Sequence, residues 1–237
     1  MKKVELENKI LNIYKPPGLT SYDVVRFVKR LTGIKKVGHG GTLDPFAEGV
    51  LLVMTGRATK KMNELLKYPK VYEAILQLGC STDTGDPEGK VVEECSIPDI
   101  DESLLKNVEN EFTGEIIQRP PKYSAKKIDG IPAYKYVRKG IEVNLASRKV
   151  NIYKIELRKL GTDRIFMLVE CSSGTYIRKL GEDIAKRLGT CGYLVFLRRT
   201  KIGPYKVEDA ITLDELRESY EKNLISGESG KCRCSLA

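Results

Sequence analysis

The chain has 237 residues, enough to bury a core without disulfide or metal staples. Its 41 Lys and Arg against 32 Asp and Glu leave a formal charge of +9, which suits a polyanionic partner or simply the solvent. The segment MKKVELENKI is too charged for a secretory leader and nothing approaches eighteen consecutive apolar residues, so a cytoplasmic protein with no membrane partner is expected.

Taken in chain order, residues 10–14 read as a strand stopped by Lys15-Pro16-Pro17-Gly18. A helix follows, capped by Thr20 or Ser21, with Val24, Val25, Val28 and Leu31 at helical spacing and Gly33 at its end. A glycine-rich loop occupies 38–49. Residues 50–54 read as a buried strand, 58–66 as a helix, and 71–78 as a half-alternating strand. After a turn-rich loop at 81–90, Leu104, Leu105, Val108 and Phe112 space out a helix over 102–112. Strands at 149–157 and 165–171, a helix over 176–188, a strand at 193–199 and a short helix at 213–220 complete the pattern. Residues 227–237 read as a polar tail.

Charge is distributed unevenly along this order. Residues 86–111 hold nine acids and two lysines, net −7, and are expected on a solvated helix face. Residues 119–154 reverse this with ten bases and two acids, net +8, interleaved with Tyr123, Tyr134, Tyr136 and Tyr153. Cations mixed with aromatic rings suit a nucleic-acid surface. The six cysteines contain no CxxC pair and His39 is the single histidine, so no metal site and free thiols are expected.

Chemistry concentrates in Gly38-His39-Gly40-Gly41-Thr42-Leu43-Asp44-Pro45-Phe46-Ala47-Glu48-Gly49, which packs four glycines around one aspartate. Glycine lets backbone turn sharply and approach a ligand, and Pro45 biases Asp44 toward an extended backbone. Three rival chemistries lack parts. Phe46 stands where an aspartyl phosphatase wants a second Asp; the Gly85 to Lys90 segment is one residue short of a P-loop; and His39 has no GxSxG serine to serve.

The same loop resembles the signature of the bacterial TruB family of tRNA pseudouridine synthases. Lys15-Pro16-Pro17-Gly18-Leu19-Thr20-Ser21, Gly56-Arg57-Ala58-Thr59-Lys60, Val71-Tyr72-Glu73-Ala74, Gln118-Arg119-Pro120-Pro121-Lys122-Tyr123-Ser124-Ala125, Ser173-Gly174-Thr175-Tyr176-Ile177-Arg178 and Phe196-Leu197-Arg198-Arg199 resemble further family blocks, in order, across residues 9–215. The resemblance implies an α+β fold, a mixed, largely antiparallel sheet flanked by helices. It implies a catalytic domain over 1–215 that includes a basic thumb-like insertion at 119–154. Residues 216–237 then form a short tail with no room for the full PUA domain of many relatives.

It implies conversion of uridine 55 in the tRNA T-loop by base flipping. Asp44 is then the nucleophile, Arg178 its charge partner, and Tyr72 the ring against the flipped base and a potential general base. His39, Tyr176, Leu197 and Lys15 become substrate contacts, Lys15 through a phosphate or the loop itself. Lys126, Lys127, Arg138 and Lys139 become contacts to the RNA backbone of the T-arm. No cofactor, no metal and no obligatory protein partner are expected, and a monomer suffices. Two other readings stay open: a guide-RNA-dependent synthase resembling dyskerin, and a non-catalytic tRNA-binding or folding module.

Overall fold

The computed structural model describes residues 6–121, 123–124, 127–128, 130–137, 139–143 and 145–226. In chain order its elements are β1 (Ile10–Lys15), α1 (Ser21–Thr32), β2 (Val37–His39), β3 (Glu48–Thr55), a 3-10 turn (Gly56–Lys61), α2 (Met62–Lys67), β4 (Lys70–Leu78), β5 (Cys80–Thr82), β6 (Val91–Glu94), α3 (Glu102–Phe112) and β7 (Gly114–Gln118). There follow β8 (Lys127–Ile128), β9 (Ile131–Pro132), α4 (Ala133–Val137), β10 (Arg148–Lys159), β11 (Arg164–Cys171), α5 (Ile177–Arg187), β12 (Gly192–Ile202), β13 (Tyr205–Lys206), a second 3-10 turn (Val207–Asp209) and α6 (Leu213–Ser226). The chain divides into two compact units: residues 1–70 with 198–237, and residues 71–197.

The first unit is organised by β3. Its residues Val50 to Met54 are all fully buried, because both faces of the strand are covered. Leu51 and Val53 point into a cluster with Leu11 and Ile13 of β1, Val24 and Val28 of α1, and Leu216 of α6. Val50, Leu52 and Met54 point into a second cluster with Leu65, Ile202, Tyr205 and Val207. A strand buried on two faces needs an unbroken apolar run rather than alternation, and that is what 50–54 provides. Around it, β1 and β2 pair antiparallel, while β12 runs parallel through Arg198↔Glu48 and Arg199↔Gly49. Helix α1 starts with a reciprocal cap: Asp23 N–H donates to Thr20 Oγ1 at 3.1 Å and Thr20 N–H donates to the Asp23 carboxylate at 2.9 Å.

In the second unit the strands lie in the order β12, β4, β11, β10, β7. The β10–β11 and β10–β7 pairs are antiparallel, with an irregularity at Ile152/Lys154. Every second residue of β4, from Lys70 to Leu78, is buried. Helix α5 lies close over this sheet because Gly181 and Gly192 present no side chain; a Cβ on Gly181 would meet Leu194 at 2.9 Å, and one on Gly192 would meet Ala185 at 2.9 Å. The expected α+β architecture, a mixed and mostly antiparallel sheet with flanking helices, is therefore present. Among the described residues no helix is long and apolar enough to cross a membrane.

Three expectations need correction. Residues 58–66 form no single helix: a 3-10 turn gives way to a six-residue α2. The acidic stretch is not wholly solvated. Glu109 on α3 is buried and its carboxylate accepts the Leu157 N–H at 2.7 Å, anchoring α3 to β10. The cysteines are not all free thiols either, since Cys95 and Cys191 are joined as a disulfide across 96 positions, while Cys80 and Cys171 are free. Sequence spacing could not reveal a pair that only the folding of β4, β5 and β12 brings together.

Candidate active site

Asp44 sits in the irregular connection between β2 and β3, whose pairing (Val37↔Thr55, Gly38↔Met54, His39↔Val53) makes this loop the tip of a hairpin. The loop is tied down carbonyl by carbonyl. The Arg199 guanidinium donates to Gly41 O at 3.2 Å, Thr42 O at 3.3 Å and Val50 O at 2.8 Å. Ser21 Oγ accepts the Leu43 N–H at 2.9 Å and donates to Leu43 O at 3.0 Å. Lys15 Nζ donates to Pro45 O at 3.1 Å, Pro16 O at 2.9 Å and Leu19 O at 2.7 Å. Pro45 O also accepts the Gly18 N–H at 2.9 Å.

Arg199 and Lys15 are 1 % and 0 % exposed. Burying a cation costs several kcal/mol unless its donors are satisfied, and carbonyl oxygens contribute to that for both side chains. The result is a loop fixed on both sides of Asp44, which itself stays half-buried. Gly49 is needed for this arrangement. Its φ is +104°, and an added Cβ would collide with the Arg199 backbone on the neighbouring strand. His39, at the end of β2, has its Nδ1 buried without a hydrogen-bond partner. Burial, aided by the nearby Arg199 charge and opposed by a hydrogen bond with the Gly41 backbone, holds its pKa below the ordinary imidazole value.

The other proposed site residues belong to the second unit. Tyr72 occupies a buried position of β4, where alternation along the strand puts it, and Leu197 a buried position of β12. Tyr176 caps α5, and Gln118 at the end of β7 fixes it from two sides: Oε1 accepts the Tyr176 N–H at 2.8 Å and Nε2 donates to Tyr176 O at 3.1 Å. The Arg148 guanidinium lies 4.9 Å from the Tyr176 ring centroid, and Gly174 leaves room for it, since a Cβ there would come within 2.7 Å.

Arg178, in the first turn of α5, is 5 % exposed. Its Nη1 donates to Thr84 O at 2.6 Å and to the Asp86 carboxylate at 3.2 Å, and its Nη2 donates to Tyr123 O at 2.9 Å. Asp86 is likewise buried, and accepts from Thr84 Oγ1 at 2.6 Å and the Glu88 N–H at 3.1 Å. The acidic stretch thus contributes a structural carboxylate to the helix start that carries Arg178. Ser21, Asp86, Gln118, Arg148 and Arg199 were not singled out by sequence reasoning as site-shaping residues; the Phe196-Leu197-Arg198-Arg199 block was the available signal for the last.

In the basic segment, Lys139 is exposed. Lys126 and Arg138 lie outside the described residues, as does the side chain of Lys127. Tyr136, one of the interleaved aromatics, packs instead against Ala133, Val143 and Leu145. Arg119, Tyr123, Lys179 and Glu182 border a cavity of about 680 Å³ in the second unit.

Comparison with known proteins adds the following. Residues 29–177 match the model of the TruB family pseudouridylate synthase N-terminal domain, and residues 178–228 match the tRNA pseudouridylate synthase B C-terminal domain. The chain is 48% identical over 210 residues to a tRNA pseudouridine synthase B of Caldanaerobacter subterraneus, covering 88% of this chain and 74% of that protein. It is 47% identical over 218 residues to the protein of that name from Clostridium tetani, covering 92% and 75%. Among solved structures it is similar to a chain of a Cbf5-Nop10-Gar1 complex, with a TM-score of 0.75 and 33% identity, covering 94% of this chain and 58% of that one. A chain of an H/ACA RNP bound to a substrate RNA containing 2'-deoxyuridine gives 0.73 and 31%, covering 97% and 59%. This chain therefore spans less than two thirds of those solved chains.

Proposed function

We propose, because the chain belongs to the TruB family of pseudouridylate synthases, that it isomerises uridine 55 in the T-loop of tRNA to pseudouridine with Asp44 as nucleophile. The observation that supports Asp44 most directly is the clasp around it: the carbonyls of residues 41, 42, 43 and 45 are all held by side chains from β1, α1 and β12. A carboxylate on a fixed loop meets a reacting carbon without first being ordered, and such positioning supplies a large share of a rate enhancement.

In this mechanism the target nucleotide leaves its stack, at a cost of a few kcal/mol that the pocket offsets. Asp44 forms a covalent bond to it, the N1–C1′ bond breaks, the base turns, C5 bonds to C1′ as the bond to Asp44 is released, and the C5 proton departs, ultimately to water, while N1 takes one up. No electrons are gained or lost overall, so the step calls for no redox cofactor. Tyr72 stacks on the flipped base and, in its phenolate form, accepts the C5 proton; stacking contributes roughly 1–3 kcal/mol. Arg178 keeps Asp44 ionised as water is excluded, with Thr84, Asp86 and Tyr123 holding the guanidinium in place. Tyr176 and Leu197 line the pocket, and His39 fills the gap in the RNA stack. Lys126, Lys127, Arg138 and Lys139 contact the T-arm backbone from the basic segment 119–154.

The protein acts in the cytoplasm as a monomer without an obligatory protein partner. Similarity to chains of a Cbf5-Nop10-Gar1 complex and of an H/ACA RNP favours the second reading, a guide-dependent synthase, but the tRNA synthases match at 47–48% identity against 31–33% for those chains. Stand-alone action on tRNA is the better supported.

The deciding experiment is tritium release from 5-[³H]uridine-labelled tRNA by the wild type and by Asp44→Asn, with tRNA binding measured beside it. Release that disappears in the variant while binding persists is expected. Binding without release by either protein would replace the enzyme with a tRNA-binding module.

A further inference from the structure

One cluster of reactive groups in the second unit takes no part in the mechanism above. Cys95 follows β6, Cys191 precedes β12, and Glu93 lies on β6; the two sulfurs and a carboxylate oxygen fall within 4.8 Å of one another. Backbone hydrogen bonds make this meeting without help from sulfur chemistry. The Gly79 N–H donates to Cys191 O at 2.9 Å, and Gly79 O accepts the Cys95 N–H at 2.8 Å, so a single residue between β4 and β5 holds both cysteines. Their Cα atoms are 5.8 Å apart. Glu93 is set by the β5–β6 register Ser81↔Glu93, and its carboxylate accepts from Ser81 Oγ at 3.3 Å. None of these contacts requires the disulfide, so the groups remain together when it is reduced, the state that a reducing compartment favours.

We propose that the reduced Cys95 and Cys191, with Glu93, form a binding site for a thiophilic divalent cation, Zn²⁺ by the chemistry of its ligands. Two thiolates and a carboxylate are a set this ion accepts, at about 2.3 Å for sulfur and about 2.0–2.2 Å for oxygen. A Cα separation in the range that permits a disulfide also lets two cysteines converge on one ion. Three protein ligands leave a fourth position. Glu93 and Cys191 both border the 680 Å³ cavity, so that position opens toward it and takes water. The balance is simple: a two-electron reduction by a thiol or phosphine converts the disulfide into two thiols, and each thiol releases a proton as it binds the ion. In either state the end of β6 is tied to the start of β12, by sulfur–sulfur bonding when oxidised and by the cation when reduced. The CxxC spacing that usually marks zinc is absent because the two cysteines come from separate places in the chain, 96 positions apart. This site stands independently of the reaction assigned to Asp44.

The test uses the full chain with Cys232→Ser and Cys234→Ser, which removes the tail thiols, reduced anaerobically with a phosphine and freed of it. Titration with Co²⁺ is read by thiolate-to-metal charge-transfer absorption, and Zn²⁺ is then added in competition. A saturable band that Zn²⁺ displaces is expected, absent in Cys95→Ser and in Cys191→Ser and shifted to about tenfold or higher Co²⁺ concentration in Glu93→Gln. Zn²⁺ should raise the Tm of the reduced chain and leave that of the oxidised chain unchanged. Metal uptake by the reduced chain no greater than by Cys95→Ser, or a disulfide that excess phosphine leaves intact in the folded chain, would overturn the proposal; so would equal affinity in Glu93→Gln.

Discussion

The two units hold their proposed catalytic groups by different means. Around Asp44 the anchors are side chains gripping backbone: Arg199, Ser21 and Lys15 bind loop carbonyls on both sides of the aspartate. Around Arg178 the anchoring acts on the functional side chain itself, through Asp86 and the carbonyls of Thr84 and Tyr123. A nucleophile must be aimed, and holding the backbone on either side of it does that. A guanidinium has five N–H donors and can surrender several to structure while keeping its charge for electrostatics. The contrast predicts that the two kinds of anchor fail differently.

Breaking the loop clasp should have the largest effect. Arg199→Met leaves the carbonyls of Gly41, Thr42 and Val50 without the guanidinium, and a displacement of about 1 Å at Asp44 is enough to cost on the order of 10²-fold in rate. Single-turnover isomerisation should fall by about that factor or more while the Kd for tRNA stays within about threefold of wild type. Arg199→Lys should recover little, because one ammonium cannot span three carbonyls in the planar pattern of a fork. Equal losses in rate and tRNA affinity would show that Arg199 serves general stability instead of aiming the loop.

The second unit should respond in stability first. Asp86→Asn takes the charge off the carboxylate that the buried Arg178 guanidinium meets at 3.2 Å, for which a loss of roughly 3 kcal/mol is expected in denaturant unfolding. Gln118→Leu should cost less, about 1–2 kcal/mol, by leaving the backbone N–H and carbonyl of Tyr176 unpaired. If Asp86→Asn proves neutral, the pair is not what fixes Arg178, and the contrast between the two kinds of anchor loses its second half.

What the sequence revealed of all this follows from the range of each interaction. Helix α1 was readable with both caps because Thr20, Asp23 and Gly33 act within a few positions of the residues they serve. The continuous run 50–54 announced a strand covered on two faces. Strand β2 was hidden inside the glycine loop, since three residues have no period and its pairing with β3 supplies the evidence for it. The motif displayed Asp44 but not its holders: Arg199 is 155 positions away, and nothing local distinguishes it from Arg198 beside it, which is half-buried near Glu48 and Tyr14. Asp86 failed for the same reason, because a carboxylate destined for a buried ion pair 92 positions on looks like its solvated neighbours. Charge totals identified the basic segment, yet they could not show that Tyr136 belongs to a small apolar cluster.

The smallest expected effect sharpens the picture of the loop by pH. His39 is kept below its ordinary pKa in the folded chain, first by burial and then by the Arg199 charge. Below about pH 6.5 the unfolded chain therefore binds a proton that the folded chain refuses, and stability falls with pH by up to about 1.4 kcal/mol per unit until the folded imidazole also protonates. Above that pH the contribution is complete and flat. His39→Gln should remove this component, so that the difference in unfolding free energy between variant and wild type shrinks or reverses from pH 7.5 to pH 5.5. Arg199→Met should weaken the same dependence, because it removes one of the two influences that lower the His39 pKa and restores part of its basicity. A difference between wild type and His39→Gln that is constant across this range would mean that the imidazole titrates alike in both states and that the loop around it is open to water.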